Sequence, residues 1–182
     1  TSTQNYLKAI WGLKEWSSEP VTATLIAKQL GLKLSSVSDA VRKMAKQGLV
    51  SHTPYGSVEL TELGRQYALV MVRRHRLLES FLVQALGYTW DEVHNEAENL
   101  EHAVSDMLIE RVDKFLDYPT RDPHGDPIPT VDGQITIPSA HRLTDSGAQS
   151  QVTVERISDS DPQLLAFLKE QGIVIGAVLT LS

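Results

Sequence analysis

Residues 21–64, VTATLIAKQLGLKLSSVSDAVRKMAKQGLVSHTPYGSVELTELG, decide the fold. Thr22 is placed to cap a short helix over 23–30, whose apolar face is Leu25, Ile26 and Leu30. Gly31 suits a tight helix exit, where positive φ costs little without a Cβ. Ser35 or Ser36 is expected to cap a second helix through Gln47, with Val37, Val41 and Met44 as its core face. Gly48 stops it. Helix, short Gly-containing turn, helix is the helix-turn-helix layout. Residues 49–61 then read as two short strands around Pro54-Tyr55-Gly56, a hairpin. A helix-turn-helix followed by a two-stranded ribbon is a winged helix.

Upstream, residues 3–16 (TQNYLKAIWGLKEW) space Tyr6, Leu7, Ile10, Trp11 and Leu13 as an amphipathic helix, ended by Ser17-Ser18-Glu19-Pro20. Downstream, Thr61-Glu-Leu-Gly opens a long helix to about Leu86, with Gly64 weakening its first turn. Trp90-Asp91 starts another helix through about 103, and Ser105 opens a third, closed by Tyr118-Pro119. Residues 119–138 hold five of the eight prolines, with Gly125 and Gly133 between them, an ordered turn region or a linker. Beyond it, 151–158 alternates like a strand, Asp161-Pro162 begins a short helix, and 172–181 resumes strand. The expected fold is mainly α. A winged-helix domain spans 1–72 and a helical domain with a Pro-rich connector spans 73–138. Residues 139–182 form a small β module that reads as part of a barrel.

With 41% hydrophobic residues over 182 positions, the chain can build a real core in one large or two small domains. It has no apolar run long enough to span a bilayer and no signal-peptide pattern. With no cysteine, a disulfide framework, a zinc-thiolate site and a Cys nucleophile are all excluded. These features fit a cytoplasmic protein without a membrane partner. The chain starts at Thr1 and stops at Leu181-Ser182 inside a strand-like run, as expected of a sequence without its native ends. The net charge of −6 hides a polarity: residues 1–76 carry 11 Lys/Arg against 5 Asp/Glu, and residues 77–182 carry 6 against 18. A basic first part suits a phosphate backbone and an acidic remainder suits cations.

The exposed face of the second helix offers Ser35, Ser36, Ser38, Asp39, Arg42 and Lys43. Small hydroxyls at a recognition-helix N-terminus can approach bases and phosphates closely. Arg42, Lys43 and Lys46 suit backbone contact, and Tyr55 in the wing suits phosphate. Asp39 runs against phosphate but can accept from a cytosine amino group.

The stretch His94-Asn-Glu-Ala-Glu-Asn-Leu-Glu-His102 places two His and three Glu within nine residues. Upstream, His75 and Glu79 stand four apart in a helix. Helical residues three and four apart share a face. Glu98, Glu101 and His102 therefore project together, as do His75 and Glu79. Imidazole and carboxylate without thiolate is a donor set for a hard to intermediate divalent cation. The order Glu98-x-x-Glu101-His102 does not match the His-Glu-x-x-His pattern of hydrolytic zinc sites.

The stretches QNYLKAIWGL, VSDAVRKMAKQGLV, LTELGRQYA, RRHRLLESFL, WDEVHNEAENLEHAVSD and RDPHGDPIP resemble the diphtheria toxin repressor family, most closely its manganese-responsive branch. The resemblance covers about residues 3–138 strongly and the remainder weakly. It implies a dimeric DNA-binding repressor with a winged helix, a helical dimerisation and metal domain, and a C-terminal SH3-like barrel. It implies two neighbouring metal sites per chain. His75, Glu79 and His94 match an ancillary site, with Asp161 and Gln163 as candidate further ligands. Glu98, Glu101 and His102 match a primary site, with Asn5 on the first helix. Iron-responsive members carry Cys where this chain has Glu98, and a thioether where it has Asn5. Oxygen in place of sulfur favours Mn(II). The partners implied are a second copy of the chain and palindromic double-stranded DNA.

Four readings stand at this point, the last being a winged-helix scaffold that senses no metal. The first is Mn(II)-activated repression of manganese uptake genes. The second is the same switch run by Fe(II) or Zn(II), since affinity alone ranks Zn above Mn; Fe(II), Co(II) and Zn(II) are possible substitutes at the sites. The third, from another class, is a metal-dependent hydrolase.

Overall fold

Thr22 caps the helix that follows it, its Oγ1 accepting from the Leu25 amide at 3.3 Å. The computed structural model describes residues 3–53 and 56–181. Its described residues divide into two compact units, 1–72 and 73–182, with the long helix α4 (Glu62–Leu86) contributing to both.

In the first unit α1 (Thr3–Trp16) is followed by α2 (Ala23–Leu30). Gly31 leaves α2 with φ of 62°, its amide donating to the Ala27 and Lys28 carbonyls. The third helix, α3, spans Leu34–Lys46. It begins one residue before the expected cap. Lys33 occupies the N-cap position and supplies no side-chain bond, so Ser35 and Ser36 fall in the first turn with their side chains exposed. Burial holds the helix instead: Val37, Val41 and Met44 join Tyr6, Leu7, Ile10 and Ile26 in one core. Leu25, expected on the buried face of α2, is exposed, and Ala27 takes its place.

The wing is β1 (Val50–His52) paired antiparallel with β2 (Val58–Leu60), in the register Val50↔Leu60 and His52↔Val58. Val50 and Val58 point into the core. Pro54 and Tyr55 lie outside the described residues. Thr61 fastens the wing to α4. Its hydroxyl donates to the Gly48 carbonyl at 2.6 Å and accepts from the Gly64 amide at 3.1 Å. A Cβ on Gly64 would lie 1.9 Å from the Leu49 carbonyl oxygen. Gly64 is therefore required by close approach, beyond the weak first turn that propensity alone predicts.

In the second unit α5 (Val93–Leu100) is shorter than expected, and Glu101–Ala103 form a turn. Ser105 caps α6 (Asp106–Phe115) by accepting from the Leu108 amide at 3.2 Å. Leu77, Leu78 and Leu82 of α4 pack against Val93, Ala97, Ile109, Val112 and Ile128. Asp117 and Tyr118, both at φ 57°, turn the chain into the Pro-rich stretch. That stretch is an ordered element. It buries Asp122, His124, Asp126 and Ile128, and it closes on an Arg121↔Pro127 bridge. The tail contributes β3 (Gln151–Thr153) paired antiparallel with β4 (Val178–Thr180), and α7 (Pro162–Glu170) between them. The strand expected over 151–158 stops at Thr153. Val154 still exchanges backbone bonds with Ala177 and Gly176, and residues 155–157 then leave for the 121–127 loop.

Candidate metal centre

Helical spacing puts His75 and Glu79 on one face of α4, and the second unit folds α5 across that face. His75 Nε2 lies 2.9 Å from Glu79 Oε1 and 3.2 Å from His94 Nδ1. His94 Nδ1 is 3.3 Å from Glu79 Oε1 and 3.0 Å from Asp159 Oδ2. These four side chains each bring a donor atom within 4.8 Å of the others. The other face of the His75 ring meets α5's end: Nδ1 is 2.7 Å from Glu101 Oε2. The Glu101 carboxylate keeps a proton on Nδ1; Nε2, facing Glu79, carries its own proton while the ring is charged and frees its lone pair for a cation only when that proton leaves. His75, Glu98 and Glu101 form a second cluster, and His102 Nε2 lies 3.5 Å from Glu101 Oε1. The two sets expected to be separate thus share one imidazole.

Asp159 is the tail's contribution, two residues before the expected Asp161. The Asp161 carboxylate is engaged elsewhere, capping α7 through the Gln163 and Leu164 amides at 3.0 and 3.1 Å. Asp161 and Gln163 open a helix, while Asp159 sits in the preceding loop where it can turn toward His94. Asn5 belongs to α1, in the first unit.

A third cluster, Glu79, Asp122 and His124, was not singled out from the sequence. His124 is fully buried, stacked on Trp90 at 6.0 Å, and its Nε2–H donates to the Trp90 carbonyl at 2.7 Å. That bond fixes the tautomer, so Nδ1 of the neutral ring aims its lone pair at Glu79 Oε2, 3.7 Å away. Both atoms are buried without a hydrogen-bond partner. Two lone pairs facing each other at that separation call for a proton or a cation between them. An imidazole oriented through its other N–H by a backbone carbonyl is the usual support of a metal-ligating histidine. The residues present therefore fit a divalent cation. The only sequence signal for His124 is its place in RDPHGDPIP, because a single His in a loop has no spacing to read.

The electrostatics agree with that fit. Burial pushes the Glu79 carboxyl up, but the charge of His75 and the imidazoles of His124 and His94 outweigh it and hold the group well below the usual carboxylate range. Burial opposes charge on His94, yet Asp159 and Glu79 raise it to about 10. His124 behaves likewise beside Glu79 and Asp122, reaching about 9. Burial, reinforced by Glu79 and Asp126, drives Asp122 up to about 8. Asp159 is lowered, chiefly by His94 against the opposing effect of burial. A cation would take over the charge balance that these protons hold.

On α3, Ser35, Ser36, Asp39, Arg42, Lys43 and Lys46 are exposed and Ser38 is half-buried. Asp39 and Arg42 form an ion pair with each other, both largely exposed. Such a surface pair is worth about 0–1 kcal/mol, so Arg42 can exchange it for a phosphate at little cost. No helix among the described residues is long and apolar enough to cross a membrane.

Two family profiles match this chain. Residues 1–58 match the iron dependent repressor N-terminal DNA binding domain. Residues 61–130 match the iron dependent repressor metal binding and dimerisation domain. The iron-dependent repressor IdeR of Mycobacterium leprae (strain TN) is 35% identical over 191 residues, covering 98% of this chain and 83% of its own length. A solved manganese-dependent transcriptional repressor in complex with manganese superposes with a TM-score of 0.93 at 52% identity, over 97% of this chain and 81% of that one. The manganese regulator SloR superposes with a TM-score of 0.82 at 36% identity, over 97% of this chain and 81% of that one. The hydrolase reading falls, because this is a family of transcriptional repressors. The chain belongs to the iron-dependent repressor, or diphtheria toxin repressor, family of metal-dependent DNA-binding repressors.

Proposed function

We propose that this protein is a Mn(II)-activated repressor that controls manganese uptake genes. The observation that carries the reading is the donor set. Among the described residues the clusters around His75 and Glu79 are built of carboxylate oxygen and imidazole nitrogen alone. Such ligands suit Mn(II), whereas sulfur-bearing sites favour softer ions. Glu98 is the telling member, an oxygen donor beside His75 and Glu101. The similarity to a manganese-dependent repressor at 52% identity supports the same choice.

A dication held by these residues would supply the positive charge that lets Glu79, Glu101 and Asp159 stay close. The chain's own residues do the rest. His75 ties α4 to the end of α5 through Glu101, and Glu79 ties α4 to His94 and His124. Order in this unit would then bias the winged helices of a dimer toward the spacing of a palindromic operator. The reading carries two ions per chain, one for the group of His75, Glu79 and His94 and one for that of Glu98, Glu101 and His102.

Fe(II) is the second reading, favoured by the 35% identity to an iron-dependent repressor over nearly the whole chain. Fluorescence anisotropy of a labelled palindromic duplex, titrated with Mn(II), Fe(II), Co(II) and Zn(II), separates the two. Mn(II) should switch binding on at the metal's cellular concentration. Equal DNA binding in chelator and in Mn(II) would end the switch model.

A further inference from the structure

The Asp126 carboxylate holds two arginines at once. Its Oδ1 accepts from Arg156 Nε at 2.6 Å, with Arg156 Nη2 at 2.5 Å. Its Oδ2 lies 3.5 Å from Arg76 Nη2. Arg76 follows the ligand candidate His75 on α4 and also donates to the Pro127 carbonyl at 2.6 Å. Arg156 lies three residues before Asp159, the tail's contribution to the cluster. All three charged side chains are at most 8% exposed. Charges this deeply buried hold only when paired.

The backbone reinforces the contact. The Ile157 amide donates to the His124 carbonyl at 3.0 Å. Gly125, at φ +82°, lets the loop come so close that a Cβ there would stand 2.0 Å from the Glu155 carbonyl oxygen. Ile157 and Leu165 close the joint by packing on Trp90. Segment 154–157 is thus seated on the 121–127 loop, and the next residues carry Asp159 to within 3.0 Å of His94.

We propose that Arg156 is a positioning residue for cation binding: by locking segment 154–157 onto the 121–127 loop it delivers Asp159 to His94, so that seating of the tail and cation binding at His75, Glu79, His94 and Asp159 strengthen each other. The inference rests on the metal reading above. Without the Arg156–Asp126 contact, the tail must be ordered at the moment of binding, and affinity falls by the fraction of molecules in which it is already seated. Linkage makes the effect reciprocal: a cation at that group must hold the tail down.

The test uses the full chain and Mn(II) alone. Bound Mn(II) is counted by electron paramagnetic resonance, and amide hydrogen exchange is followed over residues 151–170 with and without the metal. In wild type, Mn(II) should slow exchange there. Arg156→Met should speed that exchange in the metal-free protein and weaken one Mn(II) equivalent about tenfold. Saturating Mn(II) should restore the protection. Arg156→Lys should recover part of the loss. Gly125→Ala removes no charge but forces the same two segments apart, and should reproduce both effects. Wild-type affinity in both Arg156→Met and Gly125→Ala overturns the proposal, as does unchanged exchange. A wild-type protein that takes up no Mn(II) overturns the coupling together with the metal reading. Uptake by wild type with no change in the variants overturns the coupling alone.

Discussion

Glu101 Oε2 stands 2.7 Å from His75 Nδ1, and both residues are buried. One imidazole therefore serves the α4 cluster through Nε2 and the α5 cluster through Nδ1. Changes at either end should be felt at both.

Glu101→Gln keeps the shape and an acceptor for His75 but removes a charge. Mn(II) affinity should fall about 10- to 100-fold, the range for lost carboxylate support of a ligand histidine, and further if Glu101 itself ligates. Glu101→Ala should lose the same affinity and, by orphaning a buried N–H, about 1–3 kcal/mol of stability as well. Calorimetry with Mn(II) and thermal melts of both variants check this. Affinity loss confined to one of two equivalents would show that the shared imidazole does not couple the clusters.

Metal binding should strengthen as pH rises. His94 and His124 stand near 10 and 9 in the metal-free protein, so both are protonated at pH 7 and must release protons to ligate. Apparent affinity should climb about tenfold per pH unit for each proton displaced, until those values are reached. The sign for stability is the opposite. Raised histidine values stabilise the metal-free fold fully below about 6.5, and that contribution is lost as pH passes through 9 to 10. Calorimetry in buffers of different ionisation enthalpy reads the proton release directly; a binding heat that does not depend on buffer would refute it.

Arg42→Ala should weaken DNA binding on all sequences and lower the salt slope by about one, as a lost phosphate contact does. Its partner Asp39 is exposed, so folding stability should barely change. Ser38→Ala should alter base preference more than salt slope. Intact affinity and slope in Arg42→Ala would place a different helix in the groove.

Asn5→Asp should tighten the response to Mn(II). An amide oxygen is a neutral donor, and a carboxylate in its place adds attraction to a hard dication. Identical Mn(II) titrations of the two proteins would remove Asn5 from the ligand set.

Gly64→Ala should destabilise the first unit by about 1–3 kcal/mol, since the added Cβ meets the Leu49 carbonyl at 1.9 Å. The thermal transition reports it. An unchanged transition would mean that the α4 start and the Leu49 backbone can separate without cost.

Much of the helical framework was legible because local chemistry sets it. Thr22, Gly31 and Ser105 act at the helix ends where cap preferences put them, and α1 follows its apolar spacing from 3 to 16. The start of α3 was misplaced because Ser35 and Ser36 offer good caps, yet burial of Val37 and Val41 carries the helix one residue past them. His75, Glu79, Glu98 and Glu101 were legible as neighbours because helical spacing gathers them. Asp159 and His124 were not. Each sits alone in a loop, and only packing on Trp90 and the Asp126 arginines brings them to α4. Long-range assembly leaves no period in a sequence.

The Thr61 fastening divides the hairpin into two regimes. At its base, one hydroxyl bonds residues 48 and 64 across sixteen positions of chain, and a glycine keeps the backbones in touch. A residue added between Gly48 and Val50, or between Leu60 and Gly64, must break that arrangement. A residue added between His52 and Val58 need not, and lengthening a loop costs only slowly growing entropy. Insertions near the hairpin's tip should therefore be tolerated where insertions at its base are not.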